Sequence, residues 1–120
     1  MATGEELSIN GSASAVQMAN AIFGTGVSVK SASYVGATAS KGIWTGGDAT
    51  SPGVVPSDSG VILSTGRVAD FTQSSGDPNR FPNASTDTSG PDNVAAFNAA
   101  AGTSTHDASY LNIDFIPSTD

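Results

Sequence analysis

Carboxylate and amide side chains, which could hold a metal ion, are concentrated between residues 70 and 93. Such hard oxygen donors suit Ca²⁺, which proteins coordinate through oxygen atoms. The segment after Asp77 lacks the glycine and glutamate that an EF-hand loop requires, and Asp and Asn are also favoured in ordinary turns. A calcium site and plain turn chemistry therefore both remain open. The candidate ligands for calcium are Asp70, Asp77, Asn79, Asp87 and Asp92.

The only histidine, His106, stands next to Asp107. A carboxylate beside an imidazole can orient a general base, with a serine from elsewhere in the chain as the nucleophile. Ser59 and Ser64, in the most apolar segment, lack the Gly-x-Ser-x-Gly pattern of a nucleophile elbow. We therefore interpret His106 as a surface-loop residue that leads into a strand, and we expect that the protein is not an enzyme.

Three aromatic residues, Tyr34, Trp44 and Tyr110, are the candidates for contact with a sugar ring. Exposed on one surface, they would form a stacking platform for a glycan. Single aromatic residues in strands are more often packed against the sheet or the core. Glycan binding is therefore an alternative hypothesis, and packing is the simpler interpretation.

The charge balance excludes one class of partner. The chain has 4 Lys and Arg residues against 11 Asp and Glu residues, a formal net charge of −7. Nucleic-acid binders neutralise phosphates with Lys and Arg, so we expect no nucleic-acid partner. No apolar run reaches the roughly 18 residues of a membrane span, and residues 1–6 lack the basic and apolar regions of a signal peptide.

The composition is typical of an exported bacterial module, with 30 Ser and Thr residues, 14 Gly and no Cys. We expect an extracellular or cell-surface protein, exported by a signal that this chain does not contain. Leu, Ile, Val and Phe together number only 23 of 120 residues. Because ordering each residue costs roughly 1–2 kcal/mol of backbone entropy, a core this thin predicts a folded but marginally stable chain.

A helix is predicted over residues 12–23, because Ser14 and Gln17 have capping-box spacing and Gly24 follows the last apolar residue. Strands are predicted within residues 26–66. The densest apolar run, residues 59–66, is typical of a strand buried on both faces. The apolar face of the helix is expected to contain Val16, Ala19, Ile22 and Phe23. Val54 and Val55, which precede Pro56, are expected to form a short edge strand.

A long polar loop is predicted over residues 72–93, followed by a short alanine-rich helix over residues 94–101. Asp92 is expected to cap this helix and Gly102 to end it. The last segment, residues 105–117, contains the final strand, in which Leu111, Ile113 and Phe115 alternate with polar residues.

Several motifs together resemble the choice-of-anchor L domain. They are a helix ending in Phe-Gly, the strand at 26–29, the Gly- and Trp-containing block at 42–47, the Ser-Gly-Val-Ile-Leu-Ser-Thr-Gly segment at 59–66 and the segment at 107–117. The resemblance runs nearly from end to end of the chain. It implies an extracellular, β-rich module of bacterial surface and secreted proteins, without an established activity.

We expect a β-rich α+β fold, with a mixed or antiparallel, sandwich-like sheet and the N-terminal helix packed on one face. The chain is expected to be a single domain or the N-terminal part of a longer one, because domains of this family continue beyond the position of Pro117. We expect a non-catalytic structural or adhesive module. The alternatives are a Ca²⁺-stabilised module that recognises glycans and a subunit that self-assembles through exposed strand edges. The partner of those edges would be a second copy or the remainder of the parent domain.

Overall fold

The computed structural model describes residues 7–50, 52–71 and 86–118. The strands are β1 (Ser8–Asn10), β2 (Val27–Val35), β3 (Lys41–Thr45), β4 (Ser59–Leu63) and β5 (Tyr110–Pro117). The α-helices are α1 (Ala15–Ile22), α2 (Gly47–Thr50) and α3 (Ala95–Ala101). Short 3₁₀ turns occupy Thr38–Ser40 and Val68–Phe71.

The strands form two antiparallel sheets, one with the order β1-β3-β4 and the other made of β2 and β5. Helix α1 contacts β2 and β5 of one sheet and β3 and β4 of the other. The predicted fold class, β-rich α+β with antiparallel pairing and an N-terminal helix packed on strands, is confirmed. The extent of the domain stays a prediction.

The local sequence signals of α1 are confirmed, whereas its predicted apolar face is confirmed only for Ala19 and the half-buried Phe23. Ser14 Oγ accepts from the Gln17 amide at 3.1 Å, and Gln17 Oε1 accepts from the Ser14 amide at 2.8 Å. The buried residues are Met18 and Ala19, whereas Val16 and Ile22 are 44% and 52% exposed. Apolar residues cover this helix except on the side of Gln17 and Asn20, so their spacing alone does not select the buried side.

Strand β4 contains the densest apolar run, and it is not buried on both faces as predicted. It pairs with β3 alone in the described part of the chain, so it lies at a sheet edge, and Leu63 is 39% exposed. The central strand is β3. Its Trp44 ring lies over Gly60, where a Cβ atom would come within 2.7 Å of the ring. Glycine in β4 therefore makes room for the only Trp.

Two further predictions are wrong. Val54 and Val55 lie in a turn rather than in an edge strand, and Val54 is 80% exposed. Asp92 does not cap α3, whose N-cap residue is Val94 without a side-chain bond. The predicted end of α3 is confirmed, because Gly102 has a left-handed φ of 70°.

The buried core of the described residues is small and mostly alanine: Ala13, Met18, Ala19, Ala37, Val68 and Ala108. Polar contacts supplement it. Lys41 Nζ donates to the Gly11 carbonyl at 3.1 Å and to the Ala13 carbonyl at 2.6 Å, which joins β3 to the turn before α1. Because burial alone contributes little here, such bonds carry a large share of the specificity of the fold.

Candidate functional site

Two loop segments, residues 90–93 and 105–108, are bonded to each other beside α3. The Asn93 amide donates to the Thr105 carbonyl at 2.8 Å, and the Ala108 amide donates to the Pro91 carbonyl at 3.0 Å. A Cβ atom at Gly90 would lie 2.7 Å from the backbone of this second segment, so only glycine fits there without a shift. The two segments therefore form one ordered unit.

The carboxylate of Asp92 belongs to this unit and explains why it does not cap α3. Its Oδ1 accepts from the Asp107 amide at 3.1 Å and lies 3.3 Å from His106 Nδ1. Asn93 and Asp107 have left-handed φ values of 57° and 53°, a conformation that Asn and Asp adopt more readily than most residues. Asp92 thus bonds to the opposite loop rather than to the helix.

His106 is paired with Asp92 and not with its sequence neighbour Asp107. The side chains of His106 and Asp92 are 66% and 55% exposed. Within the described residues, His106 makes no hydrogen bond to a serine or threonine hydroxyl, so no nucleophile is coupled to it there. The geometry matches the interpretation of His106 as a surface-loop residue ahead of β5.

An open apolar cleft lies between α3 and this unit, with a volume of about 470 Å³. Its apolar lining comes from Phe97, Ala100, Ala101 and Ala108, and Thr65 and His106 contribute polar groups. Helix α3 has no buried residue, and Phe97 is 37% exposed while its ring packs edge-on against Tyr110 at 5.5 Å. The sequence prediction missed this cleft. The available signal was an alanine-rich helix with one aromatic residue.

The candidate calcium ligands are not gathered into one site in the described part of the chain. Asp70 Oδ2 accepts from Thr86 Oγ1 at 2.6 Å and lies 3.4 Å from Arg67 Nε. Asp87 is exposed, and Asp77 and Asn79 lie outside the described residues. The residues that the structure describes contain no group of three or more acidic or histidine side chains that could hold a metal ion. The calcium site stays a prediction.

The three aromatic candidates occupy different environments. The Tyr34 hydroxyl donates to the Ala37 carbonyl at 2.8 Å. Tyr34 pairs with Leu111 across the sheet while Tyr110 pairs with Val35, so the two tyrosines point to opposite faces. Trp44 lies in the other sheet, over Gly60. They do not form a common platform, and glycan binding stays a prediction.

Further exposed apolar side chains lie on both faces of the other end of the β2–β5 sheet. Phe115 and Ile116 are 51% and 54% exposed, and Ile22 at the end of α1 is 52% exposed. The Phe115 ring packs on Phe23 with centroids 5.1 Å apart.

None of the helices in the described ranges is long and apolar enough to cross a membrane.

Comparison with curated proteins and with solved structures found no significant match. The family model described as "Choice-of-anchor L domain" matches residues 8–120, which is nearly the whole sequence. The matched region includes both sheets, α1, the cleft beside α3 and the final strand. The chain therefore belongs to the choice-of-anchor L domain family.

Proposed function

We propose that this chain is a non-catalytic structural and adhesive module of a bacterial surface or secreted protein, and that it works through its surface and its strand edges. Membership of the family indicates a bacterial surface-associated module. The observation that carries the adhesive role is the open apolar cleft beside α3. Exposed apolar surface rimmed by polar groups is typical of interaction sites.

The exposed apolar side chains of helix α3 support this proposal. An isolated helix of this length is marginal in water, because helix nucleation is costly. Helix α3 nevertheless exposes its apolar side chains, and none of them is buried. A ligand that covers Phe97 and the neighbouring alanines would bury apolar area and stabilise the helix at the same time.

The hydrogen bonds of two carboxylates also support a non-catalytic role. Asp92 accepts from the Asp107 amide in the opposite loop, and Asp70 accepts from the Thr86 hydroxyl. These carboxylates therefore already have structural partners. A catalytic carboxylate would instead be directed at a substrate or at a base coupled to a nucleophile.

The charge of this region restricts the class of partner. Residues 86–118 contain no Lys or Arg, and their acidic residues are Asp87, Asp92, Asp107 and Asp114. An acidic polymer would be repelled at low ionic strength. The partner of the cleft is therefore neutral or basic, with apolar groups that fit between Phe97 and Ala108.

The test is an adhesion assay with beads that carry the chain, on surfaces of chitin and of polystyrene. The variants are Phe97→Ser, which removes the apolar wall of the cleft, and Val54→Ser, which makes the same kind of change at an exposed valine far from the cleft in sequence. Wild-type and Val54→Ser beads should adhere equally, and Phe97→Ser beads should adhere about fivefold less strongly. Circular dichroism checks that both variants are folded.

Two results would overturn the proposal. One is adhesion that is absent on both surfaces, or that Phe97→Ser leaves unchanged. The other is a hydrolytic activity on ester, peptide or glycoside substrates that His106→Ala abolishes, because such an activity would make the exposed imidazole catalytic.

A further inference from the structure

The outer edge of β5 has no strand partner in the part of the chain that the structure describes. Strand β5 runs over Tyr110–Pro117 and pairs on one side with β2. Natural edge strands are usually protected by charges, proline, bulges or short length. Here the bulge lies in β2, between Val29 and Ser31, the only charged side chain of β5 is Asp114, and Pro117 stands only at its last position. The edge is therefore long and weakly protected.

We propose that β5 pairs in antiparallel fashion with β5 of a second copy of this chain, about a two-fold axis that passes through Ile113. The product is a four-stranded sheet with the order β2-β5-β5-β2. In this register Asn112 lies opposite Asp114 of the second copy. Leu111 lies opposite Phe115 of the second copy, and Tyr110 lies opposite Ile116.

The alternation of side chains along β5 excludes odd shifts of this register. Ile113 and Leu111 share the face of Ala32 and Tyr34, and Asn112 and Asp114 share the face of Ser31 and Ser33. A shift by one residue would set side chains of opposite faces against each other, with Ile113 opposite Asp114 or opposite Asn112. Only registers that pair like faces are compatible with the sheet.

Registers centred on Asn112, Ile113 or Asp114 all pair like faces. Charge repulsion and the contacts between apolar side chains then distinguish among these three. Centring the axis on Asp114 would place two carboxylates directly opposite each other, which is destabilising. Centring it on Asn112 would pair Phe115 with Ser109 and would leave Ile116 opposite Ala108, outside the strand. The Ile113 register instead covers both half-exposed residues, Phe115 and Ile116, with apolar partners.

The polar row gives the pairing its specificity. The Asn112 side chain is exposed, and its amide can donate to the carboxylate of Asp114 of the second copy. Asp114 Oδ2 already accepts from Ser31 Oγ at 3.0 Å, which holds the carboxylate on this face. The two-fold axis repeats the contact, so one substitution changes two pairs.

This inference rests on the proposed non-catalytic role, in which strand edges are working surfaces. The two proposals fail separately, however, because the pairing is tested at Asn112 and Asp114, which do not line the cleft, although Phe97 packs on Tyr110 of β5. Adhesion without self-association would refute the pairing alone. Self-association without adhesion would refute the adhesive role alone.

The experiment is sedimentation equilibrium of the full chain over roughly 1 to 300 µM, with far-ultraviolet circular dichroism to confirm folding. Asn112→Asp places two carboxylates opposite each other at both symmetry-related positions. The double variant Asn112→Asp with Asp114→Asn exchanges the two groups and restores an amide opposite each carboxylate. Ser33→Asp is the matched control, since it adds the same charge to the same face on β2 instead of β5.

Wild type should dimerise within this range. Asn112→Asp should weaken the dimer about tenfold or more, whereas the double variant and Ser33→Asp should stay within about threefold of wild type. A wild-type chain that is monomeric at every concentration overturns the inference. So does an equal weakening by Asn112→Asp and Ser33→Asp, or a double variant that is not restored, because either would show that total charge rather than register controls association.

Discussion

Replacing Ser40 by alanine should stabilise this protein. Ser40 is fully buried, and its hydroxyl has no hydrogen-bond partner among the described residues. Its carbonyl, by contrast, accepts from the Ser64 amide at 2.9 Å and from Ser109 Oγ at 3.3 Å. The side-chain hydroxyl is therefore removed from water without a compensating hydrogen bond, whereas the backbone carbonyl accepts two.

The magnitude follows from the cost of an unsatisfied buried polar group, which is about 1–3 kcal/mol. Removal of the hydroxyl oxygen leaves only a small void, whose cost offsets part of that gain. We expect Ser40→Ala to raise the free energy of unfolding by about 1 kcal/mol. For a chain of 120 residues, this corresponds to a rise in Tm of about 4 °C.

Ser109→Ala is the control with the opposite sign. Ser109 Oγ lies 2.9 Å from the Tyr34 hydroxyl as well as 3.3 Å from the Ser40 carbonyl. Loss of these part-buried contacts should lower the free energy of unfolding by about 1–2 kcal/mol. Urea unfolding followed by the fluorescence of Trp44, the single tryptophan, measures both variants with one signal.

The reasoning would be refuted by a Ser40→Ala variant that unfolds more easily than wild type by more than about 0.5 kcal/mol at an unchanged m-value. Such a result would mean that the hydroxyl has a partner in the folded protein. An equal effect of both serine substitutions would show that volume, rather than hydrogen bonding, controls stability at this position.

Two other predictions concern charged groups. Lys41→Met keeps the side-chain stem but removes the bonds to the Gly11 and Ala13 carbonyls, so it should cost about 2–3 kcal/mol in urea unfolding. Lys30→Met, at an exposed lysine, should stay within about 0.5 kcal/mol of wild type, and equal effects would contradict the role given to Lys41. For residues 70–93, calcium at about 100 times its Kd should raise the free energy of unfolding by about 2.7 kcal/mol. The same melting temperature in millimolar calcium and in EDTA would remove the calcium site.

Local features were predictable because their determinants lie within one turn or one strand. The capping box needs only Ser14 and Gln17, which are three residues apart, and the end of α3 needs only Gly102. The alternation of β5 follows from its own residues up to Asp114. The motifs that resemble the choice-of-anchor L domain are also contiguous stretches, and the family assignment is confirmed.

The candidate site was harder to predict because it is assembled from segments far apart in sequence. The sequence places His106 beside Asp107, but the fold brings Asp92 to the imidazole, since residues 90–93 are bonded to residues 105–108. The cleft depends on the position of α3 relative to residues 90–93 and 105–108. The amino-acid composition carries no information about this position.

Sequence by itself determined the family, the β-rich α+β class, the acidic surface charge and the caps and alternation of individual elements, because each depends on residue type and short spacing. Only the tertiary structure decided that β3 is central, that Met18 and Ala19 are the buried side of α1, and that, among the residues it describes, β4 and β5 lie at sheet edges and the cleft is open. The same apolar strand can lie at the edge or in the centre of a sheet, and the same helix can pack against the core with either of its apolar faces. The choice depends on which distant segment it pairs with, and that is a property of the whole chain.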